Sequence, residues 1–198
     1  MCRVRLRYAK RGKLRFTSHR DVARTFERAL RRAGLPMAYS QGFSPHPKIS
    51  WVGAAPTGTA SEAEYVEIQL VAEADPEVVR AEVDAVLPDG ITVLDGVLAG
   101  PGRLAERIEA SQWRIEIPGV GADQLRHAAT ALLDTPEVLV ERVIKEGKRC
   151  LDARAAIVSL MVEESPIPAP GADRPPECGI LNAVVRQVSP AVRPDDVL

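Results

Sequence analysis

Two histidines near the N-terminus, His19 and His46, could act as a general acid and a general base. Imidazole titrates near neutral pH, so such a pair could deprotonate a ribose 2′-hydroxyl and protonate the leaving 5′-oxygen without a metal ion. Because His46 lies beside Lys48, the candidate catalytic residues are His19, His46 and Lys48. The alternative is that both histidines have structural roles. A histidine in the first turn of a helix can form hydrogen bonds with neighbouring groups, and a histidine between two prolines can fix the conformation of a loop.

Basic side chains surround both histidines. Residues 1–50 hold 13 Lys or Arg against Asp21 and Glu27, a net charge of +11, whereas residues 51–198 carry −12. A segment of one sign attracts polyanions, which predicts an RNA-binding surface. The alternative is that the basic segment packs against the acidic remainder of the chain and is neutralised there. The candidate RNA-binding arginines are Arg3, Arg5, Arg7, Arg20, Arg24, Arg28 and Arg31.

Aromatic residues flank His46 on both sides. Phe43 precedes it and Trp51 follows it, and aromatic rings can stack on unpaired bases. Aromatic residues beside Gly and Pro also serve as core anchors, so packing into the protein interior is the alternative. Phe43 and Lys48 complete the set of candidate RNA-binding residues.

Composition and spacing exclude several other classes of site. Cys2, Cys150 and Cys178 are too widely spaced for a zinc finger, a disulfide scaffold or a self-contained iron–sulfur site. Gly100–Gly102 is typical of a turn and lacks the pattern of a phosphate-binding loop. We therefore expect no metal and no cofactor. Since no apolar run approaches the ~18–20 residues that span a bilayer, we also expect no membrane association and a cytoplasmic location.

Short sequence patterns predict the elements that position these residues. Residues 3–8 alternate basic and apolar side chains, which indicates a half-buried strand. Ser18 fits the N-cap of an arginine-rich helix, with Asp21 reaching back to it, and Gly34 ends that helix. A loop follows, in which Gly and Pro exclude regular structure. The residues assigned structural roles are Ser18, Asp21, Gly42, Pro45 and Pro47.

The order of the predicted elements indicates the fold. Residues 1–110 predict β-α-β-β-α-β, the order of a ferredoxin-like module that here carries the basic motifs. Residues 111–198 predict a second, acidic and degenerate copy, with a helix over Asp152–Val162. We therefore expect an α+β protein with two ferredoxin-like modules side by side. The alternative is a single α+β domain with one larger sheet.

Three stretches, Tyr8–Asp21, Glu27–Gly34 and Gly42–Ile49, resemble the radical-SAM-linked domain family of unknown function. In that family the domain stands alone or follows a cobalamin-type radical SAM protein, and its members are often encoded beside ribonuclease and ribosomal-protein genes. The resemblance therefore implies a role with RNA. The family motif transfers, without an assigned role for any position, to His19, Arg20, Asp21, Gly42, Phe43, Pro45, His46 and Lys48.

Three functions follow as expectations. The first is a non-enzymatic RNA-binding or substrate-presenting accessory domain, which would act with a radical SAM or RNA-processing enzyme on a tRNA, an rRNA or an mRNA. The second is a metal-independent ribonuclease that uses His19 or His46. The third is a protein-docking domain for a radical SAM partner. The sequence lacks a three-cysteine cluster, so radical chemistry would have to come from another polypeptide.

Overall fold

A computed structural model describes residues 2–144, 147–163 and 178–198. The chain divides into two compact units, Met1–Ala105 and Glu106–Leu198. Both units combine helices with antiparallel strands, so the predicted α+β class is confirmed.

The first unit contains a four-stranded sheet and two α-helices. Its strands pair in the order β2-β3-β1-β4, and every pairing is antiparallel. Since β1 lies between β3 and β4, both of its edges are paired, which makes it a central strand of the sheet. The elements are β1 (Cys2–Lys10), α1 (His19–Arg32), β2 (Ile49–Val52), β3 (Ser61–Leu70), α2 (Pro76–Asp84) and β4 (Ile91–Leu98).

The core face predicted for residues 3–8 is observed in β1, but the opposite face is only partly exposed, since Arg5 is buried and Arg7 is half-buried. Val4, Leu6 and Tyr8 are buried, because successive side chains of a strand point to opposite faces. α1 adds Val22, Phe26, Ala29 and Leu30 to the buried core, at the spacing of a single helical face.

An aromatic cluster joins α1 to the sheet. The ring centroid of Phe26 lies 4.6 Å from that of Tyr8 and 5.4 Å from that of Trp51. Trp51 is half-buried and meets Tyr8 edge-on at 6.2 Å. Tilted and edge-on contacts are the favoured geometries for aromatic pairs, and they add to the energy of apolar burial. Trp51 is therefore a core anchor, which is the second of the two roles considered for it.

The second unit has a three-stranded sheet in the order β5-β9-β8 and a separate hairpin, β6-β7. Its sheet therefore differs from the four-stranded sheet expected for a ferredoxin-like copy, at least among the residues that the structure describes. The elements are β5 (Ala110–Pro118), α3 (Ala122–Asp134), β6 (Leu139–Ile144), β7 (Gly147–Asp152), α4 (Ala153–Ala156), β8 (Ile157–Glu163) and β9 (Cys178–Arg186).

The helix predicted over Asp152–Val162 is wrong beyond its first turn. Asp152 accepts a hydrogen bond from the Arg154 N–H and begins α4, but this helix ends at Ala156. The chain then continues as β8, which pairs with β9. Ile157, Val158 and Val162 are β-branched and favour a strand, and the ladder with β9 supplies the backbone hydrogen bonds that a longer helix would have made internally.

Across the described parts of the chain, no helix combines the length and the apolar character needed to cross a membrane.

Replacing Phe26 by Ala should destabilise the first unit by about 3–5 kcal/mol, because it removes a fully buried ring from the aromatic cluster. The matched control is Phe43→Ala, which truncates the same side chain at a fully exposed position and should change stability by less than ~0.5 kcal/mol. Urea unfolding followed by circular dichroism measures both. Equal costs for the two variants would contradict the assignment of Phe26 to the core.

Candidate functional site

The N-terminus of α1 is built by Ser18 and Asp21. The Ser18 hydroxyl accepts a hydrogen bond from the Asp21 N–H at 3.2 Å and donates one to the Asp21 carboxylate at 2.6 Å. The carboxylate therefore reaches back to the N-cap residue, as predicted. It binds the Ser18 hydroxyl, whereas in a capping box it would bind the backbone N–H of the N-cap residue. A carboxylate in the first turn also interacts favourably with the helix dipole.

The arginines of α1 are exposed to solvent. Among the described residues, the one carboxylate within 4.0 Å of any of them is that of Asp21, which lies 3.9 Å from Arg24. Arg28 donates to the Thr25 hydroxyl at 3.1 Å. Glu27, which lies four residues before Arg31 on α1, makes no ion pair with it within that distance in the described structure. The helix therefore presents largely unneutralised cations. These α1 arginines are Arg20, Arg24, Arg28, Arg31 and Arg32.

The arginines of β1 have different surroundings. Arg5 is buried. Its Nε donates to the Glu67 carboxylate on β3 at 2.7 Å, and its Nη2 donates to the Gly102 carbonyl at 2.9 Å. Arg3 binds the other oxygen of the same carboxylate at 3.0 Å. Arg7 is half-buried and donates to the Glu62 carbonyl at 3.3 Å. Arg3 and Arg5 are thus neutralised within the first unit, which corrects the expectation that β1 offers three surface cations.

A short loop carries the second half of the motif. Residues 41–46, which we call the Phe43 loop, are closed by two hydrogen bonds: the Ser40 N–H donates to the His46 carbonyl at 2.8 Å, and the His46 N–H donates to the Ser40 hydroxyl at 3.0 Å. Gly42 has a φ of 131°, a conformation that side-chain-bearing residues rarely adopt. Phe43 is fully exposed in this loop.

His19 and His46 have separate surroundings. The His19 ring meets Trp51 edge-on with centroids 5.3 Å apart, whereas His46 belongs to the Phe43 loop. Among the described residues, neither a ring contact nor a hydrogen bond joins the two imidazoles.

Lys48 is exposed where the Phe43 loop leads into β2. Its backbone N–H donates to the Ala38 carbonyl at 2.8 Å and its carbonyl accepts from the Gln69 N–H at 3.0 Å, so the segment is held against β3. Lys48 and Arg3 line a groove of about 430 Å³ together with Ser50, Glu67 and Gln69. This groove contains the carboxylate that neutralises Arg3, so its charge is mixed.

Sequence reasoning missed a buried polar cluster at one end of the core. Lys10 and Glu64 are both buried, and both bind the backbone of Ala55: the Lys10 ammonium donates to its carbonyl at 3.4 Å, and Glu64 accepts from its N–H at 3.1 Å. Burial, and secondarily the negative charge of Glu64, raises the pKa of the neighbouring Tyr8 hydroxyl. The sequence contains one indication of this burial: Lys10 follows Val4, Leu6 and Tyr8 at intervals of two residues, the spacing of side chains on one face of a strand.

No group of three or more His, Cys, Asp or Glu side chains that could hold a metal ion occurs in the described ranges. The cysteines Cys2, Cys150 and Cys178 are all free thiols.

Comparison with known proteins gives one family. A family model described as "Uncharacterized protein conserved in bacteria (DUF2344)" matches residues 3–194. No curated protein matches the chain.

Replacing Glu67 by Gln should destabilise the first unit by about 3–5 kcal/mol, because it leaves the buried Arg5 guanidinium without its carboxylate. The double variant Arg5→Met/Glu67→Leu should recover most of this loss, since an apolar pair needs no neutralisation. Glu62→Gln is the control: Glu62 pairs with Arg11 at the surface, where an ion pair contributes less than ~1 kcal/mol. Urea unfolding measures all three, and a Glu67→Gln cost as small as that of the control would contradict the buried pairing.

The free energy of unfolding should fall as the pH rises above about 10. In the folded protein the raised pKa of Tyr8 keeps its proton bound, whereas in the unfolded chain Tyr8 ionises in this range, so alkaline pH favours unfolding. Tyr8→Phe should make the unfolding free energy less dependent on pH between about 9 and 11. An unchanged dependence in this variant, measured by urea titration at each pH, would contradict the assignment.

Proposed function

The chain belongs to this family of uncharacterized proteins conserved in bacteria, and we propose that it is an RNA-binding accessory protein that presents RNA to a modifying or processing enzyme. The observation that carries the proposal is the set of exposed α1 arginines, which together have a single, distant carboxylate contact within the described structure. Arginine binds phosphate oxygens through its fork of N–H donors, and this contact is independent of base sequence.

The spacing of these arginines suits a nucleic-acid backbone. Arg20 and Arg31 lie eleven residues apart on one helix, which corresponds to roughly 16 Å at ~1.5 Å per residue. Arg24 and Arg28 fall between them, at the three- and four-residue intervals that place side chains on a common face. A row of four cations of this length matches several consecutive phosphates better than it matches a small metabolite, and forms the basic patch of the proposal.

Pairing in the sheet favours α1 over β1 as the RNA contact. The order β2-β3-β1-β4, together with the β-α-β-β-α-β sequence of elements, supports our interpretation of the first unit as ferredoxin-like. The sheet is a familiar RNA platform in such folds. Here, however, Arg3 and Arg5 both form ion pairs with Glu67. If they bound phosphates instead, the Glu67 carboxylate would be left unpaired beside the RNA.

The partner enzyme in this proposal is a radical SAM protein. Support comes from the resemblance of Tyr8–Asp21 and Gly42–Ile49 to the radical-SAM-linked domain family. In this arrangement the present chain contributes RNA binding, and the partner contributes the chemistry.

Reversing the charge of Arg28 and Arg31 to Glu should weaken binding to single-stranded RNA of any sequence. These two arginines are exposed and lack a carboxylate partner among the described residues, so their reversal breaks no ion pair seen there. If four α1 arginines contact phosphates, log K of the wild type falls with log salt at a slope of about −3, and the double variant should show roughly half that slope. Fluorescence anisotropy with a labelled oligonucleotide at several salt concentrations measures both quantities.

The matched control is Arg107→Glu/Arg149→Glu, which makes the same change in net charge on exposed arginines of the second unit. This control should keep the wild-type affinity and slope. If both double variants weaken binding equally, net charge and not the α1 face governs the affinity. If the wild type shows no salt-dependent affinity for RNA, the proposed function is wrong.

A further inference from the structure

We propose that the Phe43 loop stacks its phenyl ring on an unpaired base, so that the nucleic acid bound by this protein is single-stranded where it meets the loop. This inference rests on the proposed RNA-binding function and adds to it the structural class of the ligand.

Phe43 is placed in water although its ring is apolar. It is fully exposed, while Phe26 is fully buried and packs against Tyr8 and Trp51. Tyr39, which lies next to Ser40 at the base of the loop, is also close to half exposed. Phenyl rings dominate the energetics of the surfaces that bury them, so a ring held in solvent is available for contact with a flat apolar partner.

The loop is organised before any ligand binds. The two hydrogen bonds between Ser40 and His46 close its base, and a bridge between Tyr39 and Pro47 extends the pairing by one step. Pro45 and Pro47 restrict the backbone further, because each fixes its own φ and limits the preceding residue. Little conformational entropy is therefore lost when Phe43 engages a ligand, which favours affinity.

The charge around the loop favours a nucleic acid over an apolar protein pocket. Along the chain, residues 28–61 contain no Asp or Glu and include four basic residues, of which Lys48 is next to the loop. The groove that Lys48 lines also contains the Glu67 carboxylate, which Arg3 and Arg5 neutralise. His46 and Lys48 are exposed on the C-terminal side of Phe43. Single-stranded nucleic-acid sites combine this pair of features, an aromatic ring for the base and cations for the backbone.

The ring also selects between paired and unpaired RNA. In a duplex each base is covered by its neighbours on both faces, and the deep, narrow major groove of A-form RNA excludes side chains from the base edges. An unpaired base has a free face, and its stacking on a phenyl ring tolerates any sequence. Phe43 should therefore contribute to binding of single strands and not to binding of duplexes.

Two substitutions at Phe43 test this inference on the full chain. Phe43→Leu keeps an apolar side chain but removes the aromatic face, whereas Phe43→Trp keeps that face. For a single-stranded RNA of mixed sequence, the Leu variant should bind about 5- to 150-fold more weakly, equivalent to the ~1–3 kcal/mol of one stacked base, and the Trp variant should bind at least as tightly as the wild type. The duplex of the same sequence should bind all three proteins equally.

A spectroscopic readout accompanies the affinities. In Phe43→Trp, the fluorescence of the new, solvent-exposed indole should be quenched when single-stranded RNA is added, because stacking on a base shortens its excited-state lifetime. Wild-type protein carries Trp51 and Trp113 and serves as the reference for any change at those positions. Quenching by the duplex to the same extent would overturn the selection of unpaired bases.

Failure of this inference can be separated from failure of the proposed function. If wild-type protein binds RNA, Arg28→Glu/Arg31→Glu weakens it and Phe43→Leu does not, then base stacking is wrong and phosphate binding by α1 stands. If Phe43→Leu leaves RNA affinity intact but Phe43→Asp abolishes co-purification with a protein partner, the loop docks into a protein pocket instead. If the wild type binds no RNA, both proposals are wrong.

Discussion

A guanidinium that cannot lose its proton is buried in the middle of the first unit's sheet, and the arrangement of the sheet depends on neutralising it. Arg5 lies on β1, which pairs on one side with β3 and on the other with β4. The register places Glu67 of β3 directly opposite Arg5, and the Gly100 and Gly102 carbonyls accept its other hydrogen bonds. A shift by one residue would put Glu67 on the opposite face and leave Arg5 uncompensated.

This constraint divides the basic segment into two classes of side chain. Arg3 and Arg5 belong to the architecture, since the carboxylate of Glu67 holds both. The α1 arginines lie on the side of the helix away from Val22, Phe26 and Leu30, so their charges remain available for a ligand. The net charge of +11 over residues 1–50 therefore overstates the surface charge that a polyanion could contact, and five of the eleven basic residues that remain lie on α1.

The C-terminal end of β1 also buries charged side chains, with a different outcome. Lys10 and Glu64 are buried, but each binds the backbone of Ala55 and so fixes the segment that follows Trp51. Trp51 in turn packs on Phe26 and His19. The conspicuous His19 is thus tied to the aromatic core through Trp51, while His46 and Phe43 belong to a separately bonded loop.

The sequence by itself determined the local features: the alternation of β1, the Ser18 cap, the apolar face of α1 and the irregular backbone around Gly42, Pro45 and Pro47. Each of these depends on residues within one turn or one strand. It also determined which side chains share a face, which is why Arg3, Arg5 and Arg7 could be grouped.

Only the tertiary structure decided which of those groups meet a partner. Glu67 lies 62 residues from Arg5, and no local pattern shows that strand pairing places the two opposite each other. In the same way, pairing with β9 turned the segment after Ala156 into a strand although its composition also suited a helix. Neutralisation, burial and strand choice depend on contacts between distant residues, and these form only when the chain folds.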